Sequence, residues 1–293
     1  MTYYIVYGLV KLLSLFPFAV LYALSDVLYP VIYYIIGYRK QVVRDNLSYS
    51  FPEKTEQERK AIEKKFYRHF CDLIFENIKF AGISVSEINK RMLYNNFEPA
   101  LKHLDEGRSV MLYSSHYGNW EWNSSFILHL PKDMPIYPIY KKQTSEVSDR
   151  IIHKIRNHFG TETIEMKNLL RVMAAMRSEG RFGMFGMISD QSPTRESLHY
   201  FTQFLNQHTA VITGTEQIAR KFDYPVYYAR LKKLKRGYYT SELIPVSLHP
   251  KETPDFEISE KYMRLLEEDI LRDPAIWLWT HKRWKYTREK TVE

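Results

Sequence analysis

Between residues 110 and 189 the chain alternates short apolar runs with helical patterns. Val110–Tyr113, Ile136–Tyr140, Thr161–Ile164 and Gly183–Ser189 have the length and composition of buried strands. Between them, Trp122 to Leu130 reads as an apolar helix. Val147, Ile151, Ile155 and Phe159 mark a second helix, and Leu169, Leu170, Met173 and Met176 a third, with Gly160 and Gly180 at their ends. This alternation predicts an α/β fold: a mostly parallel central sheet flanked by helices. Downstream, Val226–Lys232 and Tyr238–Ile244 read as a hairpin around Lys235-Arg236-Gly237. Ala210–Phe222 and the Ile258, Tyr262, Leu265, Ile270 series read as helices. Ser189–Thr209 shows no periodicity and reads as a long loop leaving a strand end. Upstream, Thr55-Glu56-Gln57-Glu58 is a capping box that opens a helix with Gly82 as its stop. Ser86–Leu93 and Phe97–Leu104 read as two further short helices.

His116 falls where the first strand ends and the next helix begins, in Ser114-Ser115-His116-Tyr117-Gly118-Asn119-Trp120-Glu121. Ligands of open α/β sheets bind at the carboxyl ends of the strands, and the first amides of a helix point toward anything bound there. His116 and Glu121 are five residues apart. On one helix they would diverge by about 140°. With His116 on the turn and Glu121 on the first helical turn they can meet, Glu121 accepting from one imidazole nitrogen and leaving the other to take a proton. The other reading of the same spacing is a surface His and Glu that never touch. Zinc is disfavoured, because a helical zinc pair needs two His at i and i+4 and a third ligand.

His-x4-Glu after a strand resembles the catalytic motif of the glycerolipid and lysophospholipid acyltransferase superfamily. Other segments resemble the bacterial lipid A late acyltransferases. These are Asn46-Leu47 with Phe51-Pro52, Asp190-Gln191 followed by Phe204, Thr209-Ala210 and Thr213-Gly214, and the ending Pro274–Lys285 with Trp277, Trp279 and Trp284. The resemblance runs through nearly the whole chain in order. It implies transfer of a fatty acyl chain from a thioester to a lipid hydroxyl. His116 would be the general base and Glu121 its orienter. Backbone N–H groups at Gly118 and Asn119 would face the oxyanion. Asp190 and Gln191 would help build the acceptor site, and Arg195 in the same loop could grip a phosphate or carboxyl. Ser192-Pro193-Thr194 replaces the aromatic-Gly segment that many members carry after Asp-Gln. The implied co-substrate is an acyl thioester, on acyl-carrier protein or coenzyme A, with no metal and no bound cofactor. The implied acceptor is a membrane glycolipid, or alternatively a phospholipid, aminolipid or mannoside lipid.

Residues 3 to 36 are interrupted only by Lys11, Asp26, Pro17 and Pro30. Two readings stand beside a buried hairpin: one imperfect span from Tyr3 to about Leu24, or two helices lying in one leaflet. Residues 1–45 are therefore expected to anchor the chain, and 46–293 to form the acyltransferase domain. Arg39, Lys40 and Arg44 follow the apolar stretch, which places this end on the cytoplasmic face of the inner membrane. The formal charge of +8, with 23 Tyr and 15% aromatic residues, suits a phosphate-rich membrane surface or an acidic carrier protein. Lys141, Lys142, Arg156, Arg171 and Arg177 are candidate contacts for either. A nucleic-acid-binding module would use the same charge, but the apolar start and the lack of any nucleic-acid motif speak against it. The single cysteine, Cys71, permits no internal disulfide.

Overall fold

The computed structural model describes residues 2–132 and 134–286. Two apolar helices, α1 (Thr2–Ser14) and α2 (Phe18–Pro30), come first, and α2 continues as a π-helix over Val31–Ile36. Helices α3 (Lys40–Ser50) and α4 (Glu56–Phe80) follow. The capping box at the start of α4 is complete: the Thr55 amide donates to Glu58 Oε2 at 2.7 Å, and the Glu58 amide to Thr55 Oγ1 at 3.3 Å. Next come α5 (Val85–Arg91), β1 (Met92–Asn95), α6 (Glu98–Asp105) and β2 (Val110–Ser114). The α/β alternation then runs β3 (Ile136–Tyr140), α7 (Glu146–Arg156), β4 (Ile164–Glu165), α8 (Leu169–Ser178) and β5 (Met184–Ile188). A small hairpin, β6 (Phe201–Phe204) and β7 (Gln207–Ala210), precedes α9 (Gly214–Phe222). The strands β8 (Val226–Lys235) and β9 (Tyr238–Ser247) and the helix α10 (Glu257–Arg272) complete the order.

Seven strands form one sheet in the order β1-β9-β8-β2-β5-β3-β4. All neighbours are parallel except the β8–β9 hairpin, which is antiparallel. The expected α/β architecture is therefore present. The two sheet faces pack differently. Met111, Tyr113, Phe185 and Tyr228 point into the larger core, where Tyr113 stacks on Tyr262 of α10 with ring centroids 4.2 Å apart. Val110, Leu112, Ile136, Met184 and Ala229 point the other way, under Ala100 and Leu104 of α6 and under Phe126. This is the period-two alternation of a sheet buried on both sides.

Three local expectations change. The stretch expected as the Trp122–Leu130 helix is a 3₁₀ helix over Trp120–His129. The Ser86–Leu93 helix ends at Arg91 and gives way to β1. The Ser189–Thr209 loop contains β6 and most of β7, joined through Leu205 and Asn206, both at positive φ. That two-residue turn lacks the Asn-Gly or Asp-Gly signature that would have marked it in sequence.

Candidate active site

Strand β2 delivers His116 two residues past its end, and β5 delivers Asp190 two residues past its own. The register Ser114↔Ile188 sets those ends side by side. Asp190 Oδ1 lies 2.7 Å from His116 Nδ1, and Oδ2 accepts the His116 backbone N–H at 2.9 Å. Trp277 Nε1 donates to the same Oδ2 at 2.8 Å. Asp190 is 2% exposed. Burial alone would raise its carboxyl, but the imidazole and these donors outweigh burial and hold it below the usual carboxylate range. An ionised acceptor on Nδ1 fixes a proton there and leaves Nε2 with its lone pair. The Trp120 ring stands edge-on to the imidazole at 5.0 Å, and Gln191 Nε2 lies 3.4 Å from both ring nitrogens.

The turn around His116 is held by the C-terminal segment. Tyr117 and Trp277 form an antiparallel bridge, the Gly118 N–H donates to Ile276 O at 2.9 Å, and Leu278 N–H donates to His116 O at 3.0 Å. Gly118 has φ of +60°, and a Cβ there would come within 2.5 Å of Leu231 Cδ2, so only glycine fits this close turn.

Two clefts flank the pair. An open one of about 340 Å³ is lined by Trp120, Gln191, Leu278 and His281, with Phe70 and Ile74 of α4 opposite. It lies at the lower end of the roughly 300–1,000 Å³ usual for ligand clefts. Burial lowers the His281 imidazole to about 4, so it faces this cleft neutral, and its Nε2 accepts the Ser192 N–H at 3.3 Å. The other is an apolar cavity over the sheet face carrying Leu112, Ser114, Pro138, Gly186 and Ile188, with Trp120, Glu121 and Arg156 at its polar end. A further cavity shares Leu112, Asn123, Ile136 and Ala229 with it and continues to Tyr94, Phe97 and Phe126. The two, about 80 and 30 Å³, are separate small cavities whose shared lining marks an apolar track leading away from the His116 rim. Among the described residues no group of three or more His, Cys, Asp or Glu is placed to hold a metal ion.

A His–carboxylate pair on a sheet rim, between an open cleft and an apolar track, suits acyl transfer to a bulky amphipathic acceptor. Comparison with known proteins agrees. Residues 1–286 match the family model for bacterial lipid A biosynthesis acyltransferases. The chain belongs to that family. It is 22% identical to the lipid A biosynthesis lauroyltransferase of Escherichia coli, over 97% of this chain and 91% of that one. It is 21% identical to the E. coli lipid A biosynthesis palmitoleoyltransferase, over 84% and 79%. A Haemophilus influenzae lipid A biosynthesis acyltransferase is 23% identical over 60% of this chain, which spans only 54% of that relative's length.

The geometry departs from the expectations drawn from the sequence at three places. Glu121 does not touch the imidazole. It forms a two-pronged pair with Arg156, Nε to Oε2 and Nη2 to Oε1, both at 2.6 Å. Burial would raise the Glu121 carboxyl, but Arg156 holds it low. The physical reason is reach and competition. The 3₁₀ turn aims Glu121 into the apolar track, where a guanidinium from α7 meets it, while Asp190 already occupies Nδ1. Gly118 cannot serve a bound oxyanion with its N–H, because Ile276 O takes it. Arg195 is exposed on a short 3₁₀ turn over Arg195–Ser197, with no side-chain partner among the described residues. Gln191 does reach His116, as the shared rim predicted. Asn119 sits in the turn, fully buried, with its side chain directed at α4.

Four further side chains carry the site without having been singled out for that role. Trp277 is a donor to Asp190, and Arg156 is the partner of Glu121 rather than a surface contact. His281 walls the open cleft. Arg283 is 2% exposed, and none of its three nitrogens has a partner among the described residues. Burial lowers its guanidinium to about 10 against the pull of Asp190. The Trp- and Arg-rich ending was the sequence signal for three of them.

Proposed function

We propose that this acyltransferase moves a fatty acyl group from an acyl thioester, with acyl-carrier protein as the donor, to a hydroxyl of a lipid A precursor or similar glycolipid. The observation that carries the reading is the His116–Asp190 pair beside the apolar track. His116 Nε2 takes the acceptor's proton as its oxygen attacks the thioester carbonyl. The tetrahedral intermediate then expels the thiolate, which takes that proton back from the imidazolium. Asp190 keeps the imidazole in the receptive tautomer and stabilises it when charged. Of the donors near the reacting atoms, the Gln191 carboxamide is left to meet the oxyanion, such a donor being worth about 3 kcal/mol of barrier. The acyl chain lies along the Leu112–Phe126 track and the glycolipid head in the open cleft.

The apolar start supports action at a membrane. Phe18–Ile36 is 19 residues long with a mean hydropathy of 1.7, enough to cross a bilayer by length and composition. One side of α2 is nonetheless tied to the domain: Ser25 donates to Asp72, and Asp26 pairs with Arg236 at 2.7 Å. The other side exposes Val20, Leu24 and Val27. This one-sided polarity favours two helices lying in one leaflet over a span.

The test is His116→Ala in a deletion strain, read by mass spectrometry of total lipids. Wild type restores one acyl chain on one lipid class and His116→Ala does not. Purified wild type then uses acyl-carrier-protein thioester in preference to acyl-CoA. Restoration by His116→Ala defeats the reading, and preference for acyl-CoA defeats the choice of donor.

A further inference from the structure

The acyl-transfer chemistry above makes no use of Glu76, although this residue of α4 is fully buried beneath the His116 turn. Its Oε2 accepts Asn119 Nδ2 at 2.7 Å and the Tyr239 hydroxyl at 2.9 Å. Its Oε1 accepts the Tyr22 hydroxyl of α2 at 2.9 Å. Its backbone carbonyl accepts Trp122 Nε1 at 3.4 Å. One residue thus grips positions 119 and 122. Between them lie Trp120, whose ring stands against His116, and Glu121, whose pair with Arg156 closes the polar end of the acyl track. A carboxylate suits this post because it is acceptor-only and the three side-chain groups bonded to it donate; burial raises the Glu76 carboxyl, and the Lys233 ammonium with the Asn119 and Tyr239 donors pull it part of the way back down. Leaving it without donors would be costly, since a buried charge needs every lone pair answered.

We propose that Glu76 is a positioning residue for acyl transfer: by clamping Asn119 and Trp122 it sets the Trp120-Glu121 step against the imidazole and the acyl track. The inference rests on the reading of His116 as the base. It also ties the reaction to the apolar hairpin, because Tyr22 holds the opposite oxygen of the same carboxylate. A misplacement of about 1 Å in such a turn is enough to cost about 100-fold in rate. Apart from Trp120 to Ser124, the lining of the two clefts lies outside the clamped segment, so the loss falls mainly on kcat rather than on KM.

The experiment is a donor–acceptor exchange. Asn119→Asp sets a second carboxylate against Glu76, and kcat is expected to fall about 100-fold with KM for both substrates little changed. Adding Glu76→Gln restores a complementary pair, now with the amide on position 76. The double variant is expected to recover kcat to within about tenfold of wild type, a rescue that a purely structural contact would show in Tm alone. Thermal melting is followed for each. Two results overturn the proposal: a folded Asn119→Asp protein with wild-type kcat, or a double variant that regains Tm without kcat. Should Asn119→Asp alone fail to fold, the double variant decides, and a folded but inactive one overturns the proposal. His116→Ala in parallel separates the two readings. If it is inactive while Asn119→Asp is fully active, only the clamp fails. If it is fully active, the proposed reaction fails and the clamp with it.

Discussion

Asp190 and Glu121 compete for one role, and the geometry divides them. Asp190 meets His116 at both Nδ1 and the backbone N–H, whereas Glu121 is spent on Arg156. Asp190→Asn should therefore lower kcat by roughly 10³–10⁴-fold, the scale seen when a triad carboxylate loses its charge. Glu121→Gln keeps the imidazole's partner and should cost far less in kcat; steady-state kinetics on both variants checks this, and the reverse order returns the orienting role to Glu121. The pH dependence follows from the same contacts. Both carboxyls are held below their ordinary values. Their contribution to stability is thus complete above about pH 4–5 and is lost only as pH falls through the depressed values. In sequence the placement of Asp190 on the His116 rim was legible, since both follow parallel strands. Which carboxylate faces the ring was not. That depends on β2 and β5 being neighbours in register and on Arg156, whose position 35 residues away from Glu121 no local spacing encodes.

At the scale of elements, what was legible is what local chemistry dictates. The capping box of α4, the four apolar strands and the Lys235-Arg236-Gly237 hairpin each declare themselves within a few residues. The 3₁₀ form of Trp120–His129 does not. There Ser124 Oγ and Ser125 Oγ each donate to the carbonyl three residues back, at 2.8 Å, which supports a tight turn against an apolar pattern that suits either helix. Gly186 of β5 is the informative strand position. It lines the apolar track, and a Cβ built there would meet only ordinary contacts at 3.9 and 4.0 Å from the Pro138 and Tyr137 backbone. The backbone therefore tolerates a side chain, and the track does not. Gly186→Leu should leave Tm close to wild type and shift the preferred acyl donor to a shorter chain, read from competition among thioesters of graded length. An unchanged chain preference in the folded variant would remove the track from the acyl site.

Over the whole molecule, the two chain ends converge on the site from opposite sides. The C-terminal strap of Ile276–Leu278 pairs with His116–Gly118, and the N-terminal hairpin reaches the same turn through Tyr22 and Glu76. No sequence pattern announces that convergence, because each contact joins segments more than forty residues apart. The outer face of the hairpin is left apolar: Ile5, Leu9, Leu12 and Leu15 of the α1 region are each more than half exposed. Beside it a basic groove runs between α1 and α7, lined by Lys11, Arg150 and Lys154 with His153 and His158. An apolar ridge next to a cationic groove is the arrangement of a helix seated at an anionic lipid surface. Burying a Leu side chain is worth about 1.5–3 kcal/mol, and a basic side chain near such a surface about 1 kcal/mol. Leu9→Asp with Leu12→Asp should therefore abolish co-sedimentation with both phosphatidylglycerol and phosphatidylcholine vesicles. Arg150→Glu with Lys154→Glu should weaken binding to phosphatidylglycerol alone, and high salt should mimic it. Both pairs lie on surfaces away from His116, so circular dichroism and Tm should match wild type. Unchanged sedimentation of the double Leu variant would mean that the hairpin's exposed face is not what holds this acyltransferase to lipid.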